Sequence, residues 1–184
     1  PSVSLSWNIT GDIESLSGSV NDSNVSPPTF NRSSSNGLSP TVMFSSLLPG
    51  KRYIFTVTAH SNGLSSNAKT ETIRTTPTQP GPPLNFACVT NNIYDRSITL
   101  TWNKPTSPNG DIQHYIVYDR NSNTQFNTNG SVMEQEIKDL TPETTYFFSI
   151  ATVNDATTSI SIQVNNINCR TKTALSTPPR NLEG

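Results

Sequence analysis

Residues 98–103 read Ile-Thr-Leu-Thr-Trp-Asn, and residues 3–8 read Val-Ser-Leu-Ser-Trp-Asn. Apolar side chains alternate with Ser or Thr in both hexapeptides, which is the period-two pattern of a half-buried β-strand. The hexapeptides lie about 95 residues apart, and a repeat of that length is a whole small domain rather than one turn of a solenoid. We therefore predict that the chain contains one β-rich unit twice.

Other segments repeat in the same order and at nearly the same spacing. The matched pairs are residues 47–53 with 140–146, residues 74–75 with 170–171, and residues 82–83 with 178–179. Ordered matches at nearly one offset indicate two copies of the unit and the opening of a third.

The rest of the second copy also has the pattern of short strands separated by turns. Apolar residues alternate with others around Ile112, Tyr115 and Val117, at Tyr146, Phe148 and Ile150, and at Ile160, Ile162 and Val164. Turn-forming residues at 108–110, 129–130 and 154–155 separate these runs. No segment sustains a helical period, so the pattern predicts a β-sandwich with almost no helix.

Composition excludes several classes of function. The chain has 184 residues, a net charge of −1 and 14% charged residues, which argues against a nucleic-acid binder or a polybasic membrane-surface domain. No run approaches the roughly 20 apolar residues that span a bilayer, and the N-terminus lacks the pattern of a signal peptide. Two cysteines and two histidines leave little material for a catalytic or metal site, so we expect no cofactor.

The second copy resembles the fibronectin type III family. The resemblance rests on Trp102 in an early strand, the loop 105–112 that leads into Tyr115-Ile116-Val117-Tyr118, and Leu140-Thr141-Pro142 before Tyr146. It implies an immunoglobulin-like sandwich in which the Tyr146 hydroxyl bonds back to upstream backbone, a tyrosine corner. The first copy keeps Trp7, Leu47, Pro49 and Tyr53, so the expected structural core residues are Trp7, Tyr53, Trp102 and Tyr146.

The resemblance sets the expected domain boundaries. Residues 1–76 form a fibronectin type III repeat that lacks its first strand, and residues 11–35 are too rich in Ser, Asn and Gly to fix the register of its middle strands. Residues 77–83 form a Pro-rich linker, residues 84–173 a complete repeat, and residues 174–184 a linker and the start of a third repeat. Because the stretch 75–83 carries four prolines, we predict a semi-rigid joint and an elongated molecule, which scattering from a compact globule would contradict.

A narrower resemblance concerns residues 60–67 and 72–75, which are similar to repeats in the ectodomains of receptor-type protein tyrosine phosphatases. The subtype with a long repeat array and a single phosphatase domain fits best. This implies a monomeric, extracellular binding and spacer segment of a membrane-spanning protein, with a protein ligand on another cell or in the matrix. The segment is then no enzyme, since the catalytic domain lies elsewhere in the parent.

Two other functions stay open. The repeats could belong to a cell-adhesion or matrix protein, for which homophilic association is expected. They could also form a spacer module of a secreted microbial polysaccharide-degrading enzyme, against which the cysteine pair and the loop at residues 60–67 weigh.

The two cysteines are a candidate disulfide. Cys88 shares the parity of Leu84 and Phe86 on the first strand of the second copy, and a bulge expected at residues 165–166 turns Cys169 inward on the last strand. Closing a loop of about 80 residues would stabilise the domain by about 4 kcal/mol in the chain-entropy model. The alternative is two buried free thiols.

Glycosylation sequons begin at Asn8, Asn21, Asn24, Asn31 and Asn129. Their number is what Asn, Ser and Thr at these frequencies produce by chance, so it carries no argument by itself. We expect at least two to be occupied if a eukaryote secretes the protein.

Possible ligand loops are Asn62-Gly63-Leu64 and the turn at Asn154-Asp155, which occupy positions used for contact in related sandwiches. Plain spacer loops are the alternative. His60 and His114 are expected at the surface. Glu134 and Glu136 are expected on one solvated face of a strand, and Asp111 is expected to help form a turn. No Arg-Gly-Asp tripeptide is present, and the basic residues of the first copy are too sparse for a heparin site.

Overall fold

The computed structural model describes residues 1–6, 15–22, 24–25, 29–31, 41–156, 160–161 and 164–174. These residues form strands and turns with no helix among them, so the predicted all-β class is confirmed. The chain divides into two compact units, Pro1–Thr78 and Gln79–Gly184, and the division falls within the Pro-rich stretch 77–83.

The first unit is built from two antiparallel sheets. Its strands are β1 (Val3–Ser6), β2 (Ser15–Val20), β3 (Thr29–Asn31), β4 (Thr41–Phe44), β5 (Arg52–Ser61), β6 (Leu64–Ser65) and β7 (Lys69–Arg74). One sheet has the order β1-β4-β3, and in the other β5 pairs with β2, β6 and β7.

Strand β5 supplies much of the first core. Tyr53, Phe55 and Val57 occupy alternate positions and are buried, while the residues between them are more exposed. The Phe55 ring lies 4.6 Å from that of Phe44 on β4, measured between centroids. Burying each such side chain contributes about 1.5–3 kcal/mol. Trp7, which was expected in this core, lies outside the described residues.

Strand β2 comes from the polar stretch in which no strand register could be predicted. Leu16, Gly18 and Val20 alternate with more exposed serines, and the strand pairs with β5 from Ser15 opposite His60 to Val20 opposite Phe55. A short period-two pattern is therefore enough to fix the register of β2, because its partner β5 alternates buried and more exposed residues.

The second unit is also a two-sheet sandwich. Its strands are β8 (Leu84–Ile93), β9 (Ile98–Asn103), β10 (Ile112–Asp119), β11 (Thr124–Asn129), β12 (Glu134–Ile137), β13 (Thr145–Asn154) and β14 (Val164–Arg170). The sheets have the orders β12-β9-β8 and β11-β10-β13-β14.

Aromatic and branched side chains from both sheets fill the second core. Trp102 of β9 is 1% exposed, and its ring meets Tyr115 of β10 edge-on with centroids 5.5 Å apart. The other fully enclosed large side chains here are Ile98, Leu100, Val117, Ile137, Phe148 and Ile150. The strand pattern first noticed in residues 98–103 thus marks the centre of a core.

Two details differ from the sequence-based expectation. Ile160 forms only an isolated bridge with Val153, and the last strand begins at Val164, so the expected continuous run from 160 is wrong over its described part. His114, which was expected at the surface, lies inside β10 and is half-buried. The pairing of β10 with β13 has a register shift between Ile112 and His114.

Both units contain the same tyrosine corner. The backbone N–H of Leu48 donates to the Tyr53 hydroxyl at 2.8 Å, and that of Thr141 donates to the Tyr146 hydroxyl at 2.8 Å. Each tyrosine is buried and bonds five residues upstream. The corner fixes the loop that enters β5 in the first unit and β13 in the second.

A buried threonine completes each corner. Thr75 Oγ1 donates to the Leu48 carbonyl at 2.6 Å and accepts from the Lys51 N–H at 3.1 Å. Thr171 Oγ1 donates to the Thr141 carbonyl at 2.7 Å and accepts from the Thr144 N–H at 2.9 Å. The repeated Arg-Thr pairs in the sequence therefore mark the threonine that ties the end of β7 or β14 to its corner.

Candidate functional site

Cys88 and Cys169 form a disulfide that joins the two sheets of the second unit at one edge. Cys88 lies on β8, the edge strand of one sheet, and Cys169 on β14, the edge strand of the other. Their Cα atoms are 6.4 Å apart, within the range that a disulfide spans. Cys169 is 4% exposed and belongs to the core, and Cys88 packs against it.

A bulge in β14 sets the direction of Cys169. Val164 lies opposite Ile150 and Ile167 opposite Phe148, so three residues of β14 are spanned against two of β13. The extra residue falls at 165–166, where the sequence pattern predicts it. Cys169 then lies opposite Tyr146 and faces the core. Without the bulge, strict alternation along the strand would turn Cys169 away from the core.

The predicted loop at Asn62-Gly63-Leu64 is a tight hairpin turn. Asn62 and Gly63 have φ of 51° and 76°, and the flanking residues Ser61 and Leu64 pair across β5 and β6. Positive φ at both central residues is the requirement of a type I′ turn, which Asn-Gly satisfies at little cost. Leu64 is 76% exposed, the highest value for a large apolar residue in the described part of the chain.

The second predicted loop is organised differently, and Asn154 is corrected from a ligand-contact residue to a structural one. Its side chain is 3% exposed, because its amide donates to the Pro108 carbonyl at 2.9 Å and accepts from the Ala156 N–H at 3.1 Å. Asp155 is half-buried and accepts from the Asp111 N–H at 2.9 Å. The turn therefore braces the loop around residues 108–111.

The His60 ring lies between two serine hydroxyls of the first unit. His60 places its ring nitrogens 2.8 Å from Ser17 Oγ and 2.9 Å from Ser65 Oγ, which ties β2 and β6 to β5. In the part of the chain that the structure describes, no group of three or more His, Cys, Asp or Glu side chains could hold a metal ion. The same described residues include no helix that is long and apolar enough to cross a membrane.

An open groove in the second unit was not predicted. It is lined by Tyr94, Asp95, Arg96, Ser97, Glu136, Lys138 and Asp139. The Lys138 ammonium lies 3.1 Å from Glu136, and this hydrogen bond holds the pKa of the Glu136 carboxyl below its ordinary value. Glu134 and Glu136 are exposed on β12. Charges of both signs line the groove, so it suits a polar contact surface more than a charged ligand.

The described sequons lie on the surface of the fold. Asn21 accepts from the Ile54 N–H at 2.8 Å, and the Asn24 amide donates to Asp22 at 3.2 Å. Asn129 is exposed and accepts from both the N–H and the hydroxyl of Ser131, at 3.0 and 2.9 Å. Asn8 lies outside the described residues, and of Asn31 only its backbone place in β3 is described.

Comparison with known proteins supports the family resemblance. Residues 81–165 match the model of the fibronectin type III domain. Over 119 residues the chain is 33% identical to phosphatidylinositol phosphatase PTPRQ of Homo sapiens and 30% identical to the protein of that name from Rattus norvegicus. Each alignment covers 61% of this chain and 5% of the relative, so the chain matches only a small part of those proteins.

Among solved structures, a crystal structure of titin domains aligns with 94% of this chain and 59% of its own, at 17% identity and a TM-score of 0.46. The tyrosine corner and the family match describe the same part of the second unit. The second unit is therefore a fibronectin type III domain, in an all-β chain whose first unit repeats the same corner.

Proposed function

We propose that this chain is an extracellular segment of a membrane-spanning receptor related to PTPRQ, in which it acts as a spacer and presents a binding surface. The observation that carries the proposal is the 33% identity over 119 residues. That aligned length exceeds the family-matched segment 81–165, so it extends past the fibronectin type III match itself. No catalytic role is assigned to the segment, because the matched domain is a non-catalytic module.

Two features of the second unit support an extracellular location. Disulfides persist in oxidising compartments, and Cys88–Cys169 is such a bond. Asn129 presents an exposed sequon whose serine already lies against the asparagine side chain. Asn21 and Asn24 add exposed sequons on the first unit.

The location is tested by expressing the full-length parent with an epitope tag inserted in this segment. Antibody binding to intact cells is the expected result, together with a fall in mass after glycosidase treatment that Asn129→Gln reduces. Tag access only after permeabilisation would contradict the proposal.

For partner contact we propose the hairpin turn that carries Leu64. Its exposed apolar side chain sits on a two-residue turn that loses little conformational freedom on binding. Leu64→Ser should weaken binding of the multimerised segment to ligand-bearing cells or matrix. Met43→Ser, at a less exposed apolar position of the same unit, is the matched control and should leave binding unchanged. Equal binding by both variants would remove this turn from the interface.

We further propose a phosphoinositide lipid as the substrate class of the parent's catalytic domain. The support is the name of both mammalian relatives, phosphatidylinositol phosphatase, and it replaces phosphotyrosine as the first substrate to test. Phosphate release by the parent from phosphoinositide vesicles and from a phosphotyrosine peptide decides between the two. Release from the peptide alone would restore the protein phosphatase hypothesis.

A further inference from the structure

The disulfide lies at the two points where the backbone enters and leaves the second sandwich. Leu84 opens β8 and Cys88 follows four residues later, while Cys169 is followed on β14 only by Arg170. A pull on the two ends of this unit therefore reaches the bond after little of either edge strand has been drawn out.

We propose that the Cys88–Cys169 bond makes the second unit a force-bearing link of fixed length. Tension passes from β8 through the two sulfur atoms to β14. The strands β9 to β13 lie within the closed loop and are removed from the path of the force.

Hydrogen bonds hold the short segments that remain outside the loop. The Gly81 N–H donates to the Ser107 carbonyl at 2.7 Å, and the Gln79 carbonyl accepts from the Asn109 side chain at 2.7 Å. At the other end, the Lys172 N–H donates to the Tyr94 carbonyl at 3.0 Å, next to the Thr171 corner. Both ends of the unit are thus anchored on the fold before any load reaches the covalent bond.

The first unit has no such protection. Both cysteines of the chain lie in the second unit, so only non-covalent contacts, among them its core, its corner and its strand pairing, hold the first. Under rising tension the first unit can unfold completely and extend over the whole length of its chain. The chain thereby combines an extensible unit with an inextensible one.

The length withheld by the bond is large enough to measure. Cys88 and Cys169 are 81 residues apart in sequence. At about 3.3–3.6 Å per extended residue, the closed loop hides about 280 Å of chain. This inference rests on the fold and the bond alone, so it survives if the proposed receptor function fails.

The test is single-molecule stretching of the full chain between handles at its two ends, without reductant. One large extension step is expected, from the first unit, followed by only a short extension of the segments outside the loop. Two large steps in the unreduced protein would overturn the proposal.

Cys88→Ala combined with Cys169→Ala should double the number of large steps from one to two. A second arm guards against a variant that does not fold: the unchanged protein is stretched in dithiothreitol. Once tension has drawn out the edge strands, the dithiol's two thiols reduce the S–S bond to two cysteine thiols and close into the dithiol's own cyclic disulfide, releasing a step of about 280 Å. Absence of that step in dithiothreitol would also overturn the proposal.

Discussion

Hydrogen bonding distinguishes the hydroxyls of the two buried tyrosines of the second unit. Tyr146 accepts from Thr141, whereas the Tyr115 hydroxyl is buried and has no partner among the described residues. Burial raises the pKa of Tyr115 above its ordinary value. An unpaired buried hydroxyl costs free energy that its hydrogen-bonded equivalent recovers.

Tyr115→Phe and Tyr146→Phe should differ in their effect on the free energy of unfolding. Removing the unpaired hydroxyl should leave the free energy of unfolding unchanged or raise it, while removing the corner hydroxyl should lower it by about 1–3 kcal/mol because the Thr141 N–H loses its partner. Denaturant unfolding followed by Trp102 fluorescence in a Trp7→Phe background measures both. A larger loss in Tyr115→Phe than in Tyr146→Phe would show that the Tyr115 hydroxyl is satisfied.

Backbone conformation provides a second prediction at this scale. Gly50 and Glu143 occupy equivalent places in the two corners with φ of 65° and 53°, a region that L side chains adopt at a cost. Glu143→Gly should therefore raise the free energy of unfolding by about 1 kcal/mol. The gain is reduced by the loss of the exposed hydrogen bond that Thr173 donates to Glu143. Gly50→Ala, the mirror substitution, should lower it in the same denaturant assay. Stabilisation by the alanine variant would contradict the assigned backbone conformation.

At the scale of elements, an ion pair ties the end of β2 to the corner of the first unit. The Lys51 ammonium lies 2.6 Å from the Asp22 carboxylate, and it lies 5.4 Å from the centre of the Tyr53 ring. The hydrogen bond from Lys51 lowers the pKa of Asp22 below its ordinary value of 3.8. The same bond raises the pKa of Lys51 above 10.5.

These two shifts fix the sign of the pH dependence. Because the folded state lowers the pKa of Asp22, its contribution is present above pH 3.8 and is lost as the pH falls through the lowered value. Because the pKa of Lys51 is raised, its contribution is present below pH 10.5 and is lost at higher pH. Asp22→Asn should flatten both limbs of a stability curve for the first unit, measured by urea midpoints. Unchanged limbs would show that the pair does not form in solution.

Period-two patterning made much of the element structure predictable. Trp102, Tyr146 and the shared parity of Phe86 and Cys88 follow from alternation and from repetition between the two copies. Leu84 was expected on the same face, but a register shift between Leu84 and Ala87 leaves it exposed. Asn154 could not be predicted as buried, because a turn carries no period and its partner Pro108 is distant in sequence. The pair Asp22–Lys51 was missed for the same reason, since its residues are joined only when β2 pairs with β5.

In the molecule as a whole, each unit has its own tyrosine corner of the same kind, but different interactions hold the sheets of each unit together. The first relies on packing, and among the described residues its core holds fewer buried side chains than that of the second. The second adds a covalent bond between its first and last strands. That bond supports the proposed extracellular location and the proposed fixed length under load, and in the chain-entropy model it adds about 4 kcal/mol of stability.

The most direct measurement is a thiol titration of the protein, purified from a secreting host and unfolded without reductant. We expect no reactive thiol, and two after reduction, since Cys88 and Cys169 are the only cysteines in the chain. Two reactive thiols in the unreduced protein would rule out the disulfide, because non-covalent contacts alone would then hold the two sheets of the second unit together.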